Sequence, residues 1–373
     1  MIVLAAPNAF KNALTAEAAT HAIERGILAA DPSYVCIPHP IADGGDGTGE
    51  LLITQLHATC IEGMATGPMG QPVPASFGWL EHDQTAIIDM STASGIRLLQ
   101  QEQLNPCLAT SFGTGELIRH ALDMGAQRIL LGMGGSATVD GGMGILSALG
   151  AQFLDEAGVA LQTPGELERL SHIDLSHWDV RIEAAQISIL CDVHNPLLGP
   201  EGAAAIFGPQ KGATPQMVQT LEAGLSRMRT AAMALTGRDM SDVSHAGTAG
   251  GAAAGLYALA GAMPVNGIEH FLDITAFDVR LARCDIVVTG EGSLDAQTVH
   301  GKGPFGVALR AKKMGKPVIG LAGRIDDSQG ILAPYFDLLH NINPIPTDLP
   351  TALQHTAQNL EAAMLSILNT FRP

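Results

Sequence analysis

Three glycine-rich segments of the chain carry carboxylates: Ala42-Asp43-Gly44-Gly45-Asp46-Gly47-Thr48, Gly132-Met133-Gly134-Gly135-Ser136-Ala137-Thr138-Val139-Asp140-Gly141-Gly142, and Thr289-Gly290-Glu291-Gly292-Ser293-Leu294-Asp295. Glycine lets backbone N–H groups close around an anion, and acidic side chains beside it hold a divalent cation between phosphates. Together the three segments point to phosphoryl transfer.

Each segment also has a plainer reading. Asp43 and Asp46 flank two glycines after a strand, a placement suited to Mg2+ held directly or through water, and equally to an ordinary Asp/Gly turn. Glu291 and Asp295 fall in the loop expected after a buried strand, and Lys302 stands just before Pro304, a good first helical residue. That loop aims an ammonium group and helix-start amides at one place, which suits ATP phosphates and their metal better than a solvated turn. The Gly132 segment follows Ile129-Leu130-Leu131 and precedes a helix expected over 142–149, so the amides around Gly134 and Gly135 are placed to bind phosphate at a helix start. The same residues fit G-x-G-x-x-A, with Asp155 at about the distance of a ribose-binding acid, so a nicotinamide-dependent oxidoreductase is a competing reading. Against it, the turn lies outside the opening β-α-β unit and leaves the other two acidic segments unexplained.

Asp192 ends the apolar run Ile187-Ser188-Ile189-Leu190-Cys191, and Asn195-Pro196 forces a turn after it. An aspartate there can accept a hydroxyl proton as the oxygen attacks phosphorus, with His194 as the rival base and a simple Asx turn as the structural alternative. Lys11 is the only basic residue in the loop after the first strand, and a carboxylate substrate leaving water needs such a partner. Gly-x-x-x-x-Gly-Lys-Ser/Thr, protein-kinase, Gly-x-Ser-x-Gly and His-Glu-x-x-His signatures are absent from the sequence. A nucleotide-binding module without catalysis remains the third reading.

The elements that must position these residues alternate between strand and helix. Ile2-Val3-Leu4-Ala5-Ala6 reads as a buried strand, Thr15 caps a helix carrying Ala19, Ala22, Ile23, Ile27 and Ala30 at helical spacing, and Val35-Cys36-Ile37 supplies the next strand. This β-α-β unit implies a parallel pair with a right-handed crossover, and its loops fall at strand C-terminal ends, where open α/β sheets bind ligands. Strands are also expected over 285–289, 317–321 and 338–342, with a helix over 304–314. Between 60 and 90 the pattern is of strands and turns, which predicts an antiparallel excursion before strand-helix alternation resumes at Arg128 and Gln186. The expected fold is α/β in two domains. A flavodoxin-like parallel-sheet domain is formed by both chain ends, 1–58 plus 268–373, and a mixed α/β domain is inserted over 59–267. The ligands are expected in the cleft between them, with the groups that bind the acceptor substrate opposite Lys302.

At 373 residues the chain exceeds the usual span of one core. Hydrophobic residues make up 46% and aromatics only 4%, so the core must be built from aliphatic side chains, as layered helices and sheets allow. Lys plus Arg number 20 against 37 Asp plus Glu, a net charge of -17 that repels nucleic acid and anionic membranes. The five cysteines form no Cys-x-x-Cys, arguing against a zinc ribbon or a disulfide framework. Met1 to Ala6 is too short for a signal h-region, and no apolar run spans a bilayer, so a cytoplasmic location is expected; oligomeric state is not readable.

In order and wording these segments resemble the glycerate kinase family of type I along nearly the whole chain. The likeness runs from Ala6-Pro7-Asn8-Ala9-Phe10-Lys11 through the Asp43 and Gly132 segments to Cys191-Asp192-Val193-His194-Asn195-Pro196-Leu197, Phe207-Gly208-Pro209-Gln210-Lys211-Gly212, Gly247-Thr248-Ala249-Gly250-Gly251 and the segment from Thr289 to Pro304. It departs at three positions: the family pattern leads one to expect aspartate and serine where Asn8 and Ala9 stand, and asparagine where Val139 stands. The resemblance implies transfer of the ATP γ-phosphoryl group to D-glycerate, giving 2-phosphoglycerate with Mg2+ required. On that basis Asp192, Lys11 and Asp295 are expected to be catalytic, and Asn8, Ser136, Asn195 and Arg324 to bind substrate. Gly134, Gly135, Thr138, Gly250, Gly251, Gly290, Gly292 and Lys302 are expected at the nucleotide phosphates, and Asp43, Asp46 and Glu291 at the metal.

Overall fold

The computed structural model describes residues 1–343, 345 and 348–370; the expected terminal domain therefore has 344, 346–347 and 371–373 outside the described residues. The strands in chain order are β1 (Ile2–Pro7), β2 (Val35–Pro38), β3 (Thr59–Thr66), β4 (Pro72–Leu80), β5 (Thr85–Asp89), β6 (Arg128–Gly132), β7 (Gln152–Leu154), β8 (His172–Asp174), β9 (Gln186–Cys191), β10 (Met263–Asn266), β11 (Ile286–Leu294), β12 (Val318–Ile325) and β13 (Leu338–Asn341). The chain divides into two compact units, Met1–Asp43 with the segment from Ile268 onward, and Gly44–Gly267.

In the first unit the sheet is wholly parallel, in the order β2-β1-β11-β12-β13. Counted within the unit this is 2-1-3-4-5, the flavodoxin-like order. The opening unit forms as its sequence dictates: Thr15 caps the helix Ala16–Ala30 by accepting from Ala18 N–H at 3.2 Å, and Ala19, Ala22, Ile23 and Ile27 turn inward. They meet Val3, Ala5, Val288, Ile319 and Leu321 together with Leu360 and Met364 of the helix Thr356–Thr370. The alternate strand residues Leu4 and Val287 are fully buried too, so the sheet is covered on both faces, as parallel sheets require. β11 is longer than expected. Its parallel register continues through Glu291↔Ala322 to Leu294↔Ile325, so Glu291 and Gly292 belong to the strand and not to the loop after it. The helix Gly303–Lys313 starts one residue before Pro304, with Lys302 at the N-cap.

The second unit holds a six-stranded sheet, β10-β9-β6-β5-β4-β3. β5, β6, β9 and β10 run parallel, while β3, β4 and β5 pair antiparallel, which is the excursion read between 60 and 90. Residues 44–58 group with this unit. Gly49 N–H, in the helix Thr48–Gln55, donates to Asp89 at 3.1 Å, and Ile53 fills the space that a side chain on Gly78 of β4 would need. The C-terminal ends of β5, β6, β9 and β10 lie side by side, because Asp89 pairs with Gly132, Gly132 with Leu190, and Asn266 with Cys191. The loops leaving that edge carry the Gly132 segment and Asp192.

Candidate functional site

In the first unit β1 and β11 are neighbours from which the strand order departs in opposite directions, the place where open α/β sheets bind ligands. The loop leaving β1 is a tight reversal: Phe10 and Leu14 exchange backbone hydrogen bonds, Asn12 takes φ +63°, and buried Phe10 anchors the turn so that Lys11 is left exposed at its tip. Asn8 N–H bonds Gly290 O at 2.9 Å, and the Asn8 amide donates to Asp43 Oδ2 at 2.9 Å. An ionised aspartate at position 8 could not donate that bond, so Asn8 suits this loop in a way the expected family residue would not. Gly303 N–H, at the start of its helix, donates to the same Asp43 oxygen at 3.2 Å. Gly290 is required by packing, since a Cβ there would lie 2.0 Å from Leu321 O.

Glu291 stands at the centre of this group. Its side chain is 12% exposed, its Oε1 lies 3.8 Å from Lys302 Nζ, and that buried oxygen accepts no hydrogen bond among the described residues. Burial pushes its pKa up to about 8, the nearby Asp43 charge adds to the rise, and Lys302 and Lys11 offset only part of it. At 3.8 Å the lysine is too distant to compensate for desolvation, so burial decides the protonation state. A buried carboxylate oxygen without a donor, beside a second carboxylate, fits a hard cation of the Mg2+ type, which keeps waters and takes one or two carboxylates plus phosphate oxygens. No group of three acidic, histidine or cysteine side chains able to hold a metal occurs among the described residues. Asp295 is used locally: it accepts from Gln297 N–H at 2.9 Å and from Ser293 Oγ at 3.2 Å, which shapes the turn leading towards Lys302. Arg324, on β12 opposite Ser293, is 76% exposed and 3.6 Å from Asp326.

Lys11 and Lys302 are thus brought together around Glu291. The expected separation of a glycerate-binding first loop from the Lys302 loop is corrected by this placement, and its cause is the adjacency of β1 and β11 in the sheet.

In the second unit the two other glycine segments pack on each other. A Cβ on Gly134 would lie 2.1 Å from Asp46 N, and one on Gly44 would lie 2.8 Å from the Cys191 carbonyl carbon, so these glycines serve close backbone approach. Gly135, at φ +68°, faces Asp46 Oδ1, while Asp46 Oδ2 pairs with the exposed Arg97 at 2.5 Å. The helix start after the Gly132 segment is already filled. Asp140 accepts from Gly142 N–H at 2.9 Å, Gly144 N–H at 3.2 Å, Ser111 N–H at 3.1 Å and Ser111 Oγ at 2.6 Å. The carboxylate occupies the place a dinucleotide pyrophosphate would take, and Asp155 is tied into its own turn by Ala157 and Val159 N–H groups. Both features remove the nicotinamide reading.

Asp192, half-buried, follows the last residue of β9 directly. The segment after it is held from below: Asn195 donates to Glu201 O at 2.9 Å, Gly247 N–H donates to Asn195 O at 2.9 Å, and His245 bonds Val193 O at 2.5 Å. His194 is exposed and its ring lies 4.5 Å from that of His245. Gly250 and Gly251, at φ +68° and +88°, enter the helix Ala252–Ala260, and a Cβ on Gly250 would lie 2.2 Å from Thr138 O. Thr138 is buried, and its hydroxyl oxygen meets no hydrogen-bond partner among the described residues. Val139 is in the core, where its apolar side chain is at home.

Two buried charges escaped the sequence reading. Asp89, at the end of β5, accepts from Gly49 N–H, Ser91 N–H and Ser91 Oγ; burial pushes its pKa up to about 6 against those bonds. Lys211, only 4% exposed, donates to Ser136 Oγ at 2.8 Å and Thr138 O at 2.7 Å; burial pushes it down to about 7, with Asp140 opposing. Lys211 lies in the segment 207–212, but nothing in the local pattern Pro209-Gln210-Lys211-Gly212 tells that its side chain runs inward.

Among the described residues no helix is long and apolar enough to cross a membrane. A family model described as the glycerate kinase family matches residues 3–372. The chain is 42% identical to a glycerate kinase of Bacillus subtilis (strain 168), over 97% of this chain and 95% of the relative. It is also 42% identical to a glycerate 2-kinase of Escherichia coli (strain K12), over 89% of this chain and 87% of the relative. Its fold is similar to the crystal structure of "putative glycerate kinase 2" from Salmonella typhimurium LT2, with a TM-score of 0.84 and 41% identity, covering 99% of this chain and 98% of that one.

Proposed function

The chain belongs to the glycerate kinase family, and from that premise we propose that it transfers the γ-phosphoryl group of ATP to the 2-hydroxyl of D-glycerate, forming ADP and 2-phosphoglycerate. Within the molecule, the observation that carries this reading is the buried Glu291 oxygen that accepts no hydrogen bond among the described residues, with Asp43, Lys11 and Lys302 around it. Two cations at one carboxylate suit a reaction in which a substrate carboxylate and a phosphoryl group must meet.

In this reading Glu291 and Asp43 hold Mg2+, which when bound draws negative charge from the phosphoryl oxygens. Lys302, at the N-cap of the helix Gly303–Lys313, faces the phosphates, and Gly292, where an added Cβ would meet only Lys11 N at 3.9 Å, lets backbone approach them. Lys11 takes the glycerate carboxylate, with Asn8 fixing its loop through Asp43 and Arg324 as a further cation. Asp295 shapes the turn between Glu291 and Lys302. Asp192 accepts the proton of the attacking hydroxyl, held in place by the Asn195 turn; His194, exposed beside His245, is the less protected alternative. Ser136, Thr138, Gly250 and Gly251 supply polar contacts of the second unit, and Asp46 with Arg97 steadies the Gly134–Gly135 turn. A cytoplasmic location agrees with these substrates.

ADP release from ATP should require both Mg2+ and D-glycerate, with L-glycerate much poorer. Release at equal rates without glycerate would count against the reading, and so would nicotinamide reduction with no ADP.

A further inference from the structure

We propose that Lys211 is a positioning residue for this reaction, acting through Ser136: its ammonium turns the Ser136 hydroxyl proton outward as a donor to an anionic substrate oxygen. The inference rests on the phosphotransferase reading and concerns a residue which that reading leaves idle.

Lys211 closes the short turn Pro209–Lys211, and its backbone is clamped, since Gly212 takes φ +92° and a Cβ there would lie 2.5 Å from Leu104 O. Its side chain then runs inward and is almost wholly buried. Removing an ammonium from water is costly, and a methionine of similar length would fill the same space without that penalty. The charge is therefore explained by what it holds. It donates to Ser136 Oγ at 2.8 Å and to Thr138 O at 2.7 Å, so it grips both sides of the turn after β6. Backbone hydrogen bonds also hold that turn, through Ile96 N–H to Gly135 O at 2.8 Å and Ala137 N–H to Ser94 O at 2.9 Å.

The direction of the Lys211–Ser136 bond decides the chemistry. In its charged form Lys211 can only donate, so Ser136 Oγ then accepts and its own O–H has to point elsewhere. Among the described residues no acceptor for that proton is found, while Ser136 keeps 6% of its surface open. A hydroxyl whose lone pair is engaged by a buried cation is a stronger and better oriented donor. A substrate phosphate or carboxylate oxygen is the acceptor this geometry suits.

The test is a double-mutant cycle of Lys211→Met and Ser136→Ala, with kcat/KM for D-glycerate and thermal melting both recorded. Each single change should lower kcat/KM at least tenfold, and the double variant should be no worse than the weaker single by more than about twofold. Lys211→Met should melt no lower than wild type, and Ser136→Thr should recover activity lost in Ser136→Ala. A purely structural lysine would lower the melting point and leave the kinetics of the folded fraction unchanged. Folded Lys211→Met or Ser136→Ala within twofold of wild type would overturn the proposal, as would losses that multiply. Should Lys211→Met not fold, Lys211→Arg, which retains donors but moves them, takes its place in the cycle. Wild-type protein that forms no ADP overturns the kinase reading as well; active wild type with kinetically silent variants overturns this inference alone.

Discussion

Glu291 shows how burial can hold a site ready for a cation. Its pKa rises from 4.5 to about 8, so between those values the folded protein keeps a proton that the unfolded chain has lost. Stability therefore falls as pH rises through that window, and the penalty, on the order of a few kcal/mol, is complete above the folded value and absent below the unfolded one. Glu291→Gln should accordingly melt higher than wild type at pH 9 in metal-free buffer and about the same at pH 4.5; a difference independent of pH would show that the carboxylate is not so perturbed. The same variant removes the oxygen assigned to Mg2+. Lys302→Met should lower kcat/KM for ATP well beyond twofold, and kinetics within twofold would make Lys302 a mere neighbour of Glu291. Asp192→Asn should cut kcat by about 10²- to 10⁴-fold with little change in KM for ATP, and an unchanged kcat in folded protein would return Asp192 to a turn-forming role. At this scale the sequence was informative where local spacing brings side chains together, as with Glu291 and Lys302, 3.8 Å apart. It was silent on Lys211 and Asp89, whose partners Ser136 and Gly49 come from distant segments.

Among the elements, the opening strand, the Thr15 cap and the helix before Lys313 were legible because their signals are local: an apolar run, a capping oxygen, a proline in the first turn. The antiparallel excursion was legible from its turns. The extent of β11 was not, since Glu291 and Gly292 look like loop until the pairing with β12 extends the strand past them. The glycine segments show the same limit. Their composition suggested anion binding throughout, yet Gly134 lies where only backbone fits against Asp46, and Asp140 closes its own helix start. Gly134→Ala must force the two turns apart, since the added carbon would lie 2.1 Å from Asp46 N. A loss of about 1–3 kcal/mol is expected in urea unfolding, together with reduced turnover, and unchanged stability would mean that the two turns are not packed as described.

For the molecule as a whole, the parallel sheet of the first unit depends on chain ends that meet late in sequence: Thr289 Oγ1 donates to Ala6 O across 283 positions. This pairing sets Asn8 and Lys11 beside Glu291, and no local window of sequence contains it. The flavodoxin-like parallel sheet built from both chain ends was expected from strand-helix alternation, while its 2-1-3-4-5 order is seen only in the strand pairing, and a net charge of -17 left local lysines to receive anions. The central claim is the transfer of phosphorus from ATP to the 2-hydroxyl of D-glycerate. Proton-coupled phosphorus NMR of the reaction with ATP, Mg2+ and D-glycerate tests it most directly, because phosphorus on the 2-oxygen couples to one methine proton and on the 3-oxygen to two methylene protons. A new phosphomonoester doublet accompanied by ADP is the predicted result; a triplet, or ADP with inorganic phosphate alone, would contradict it.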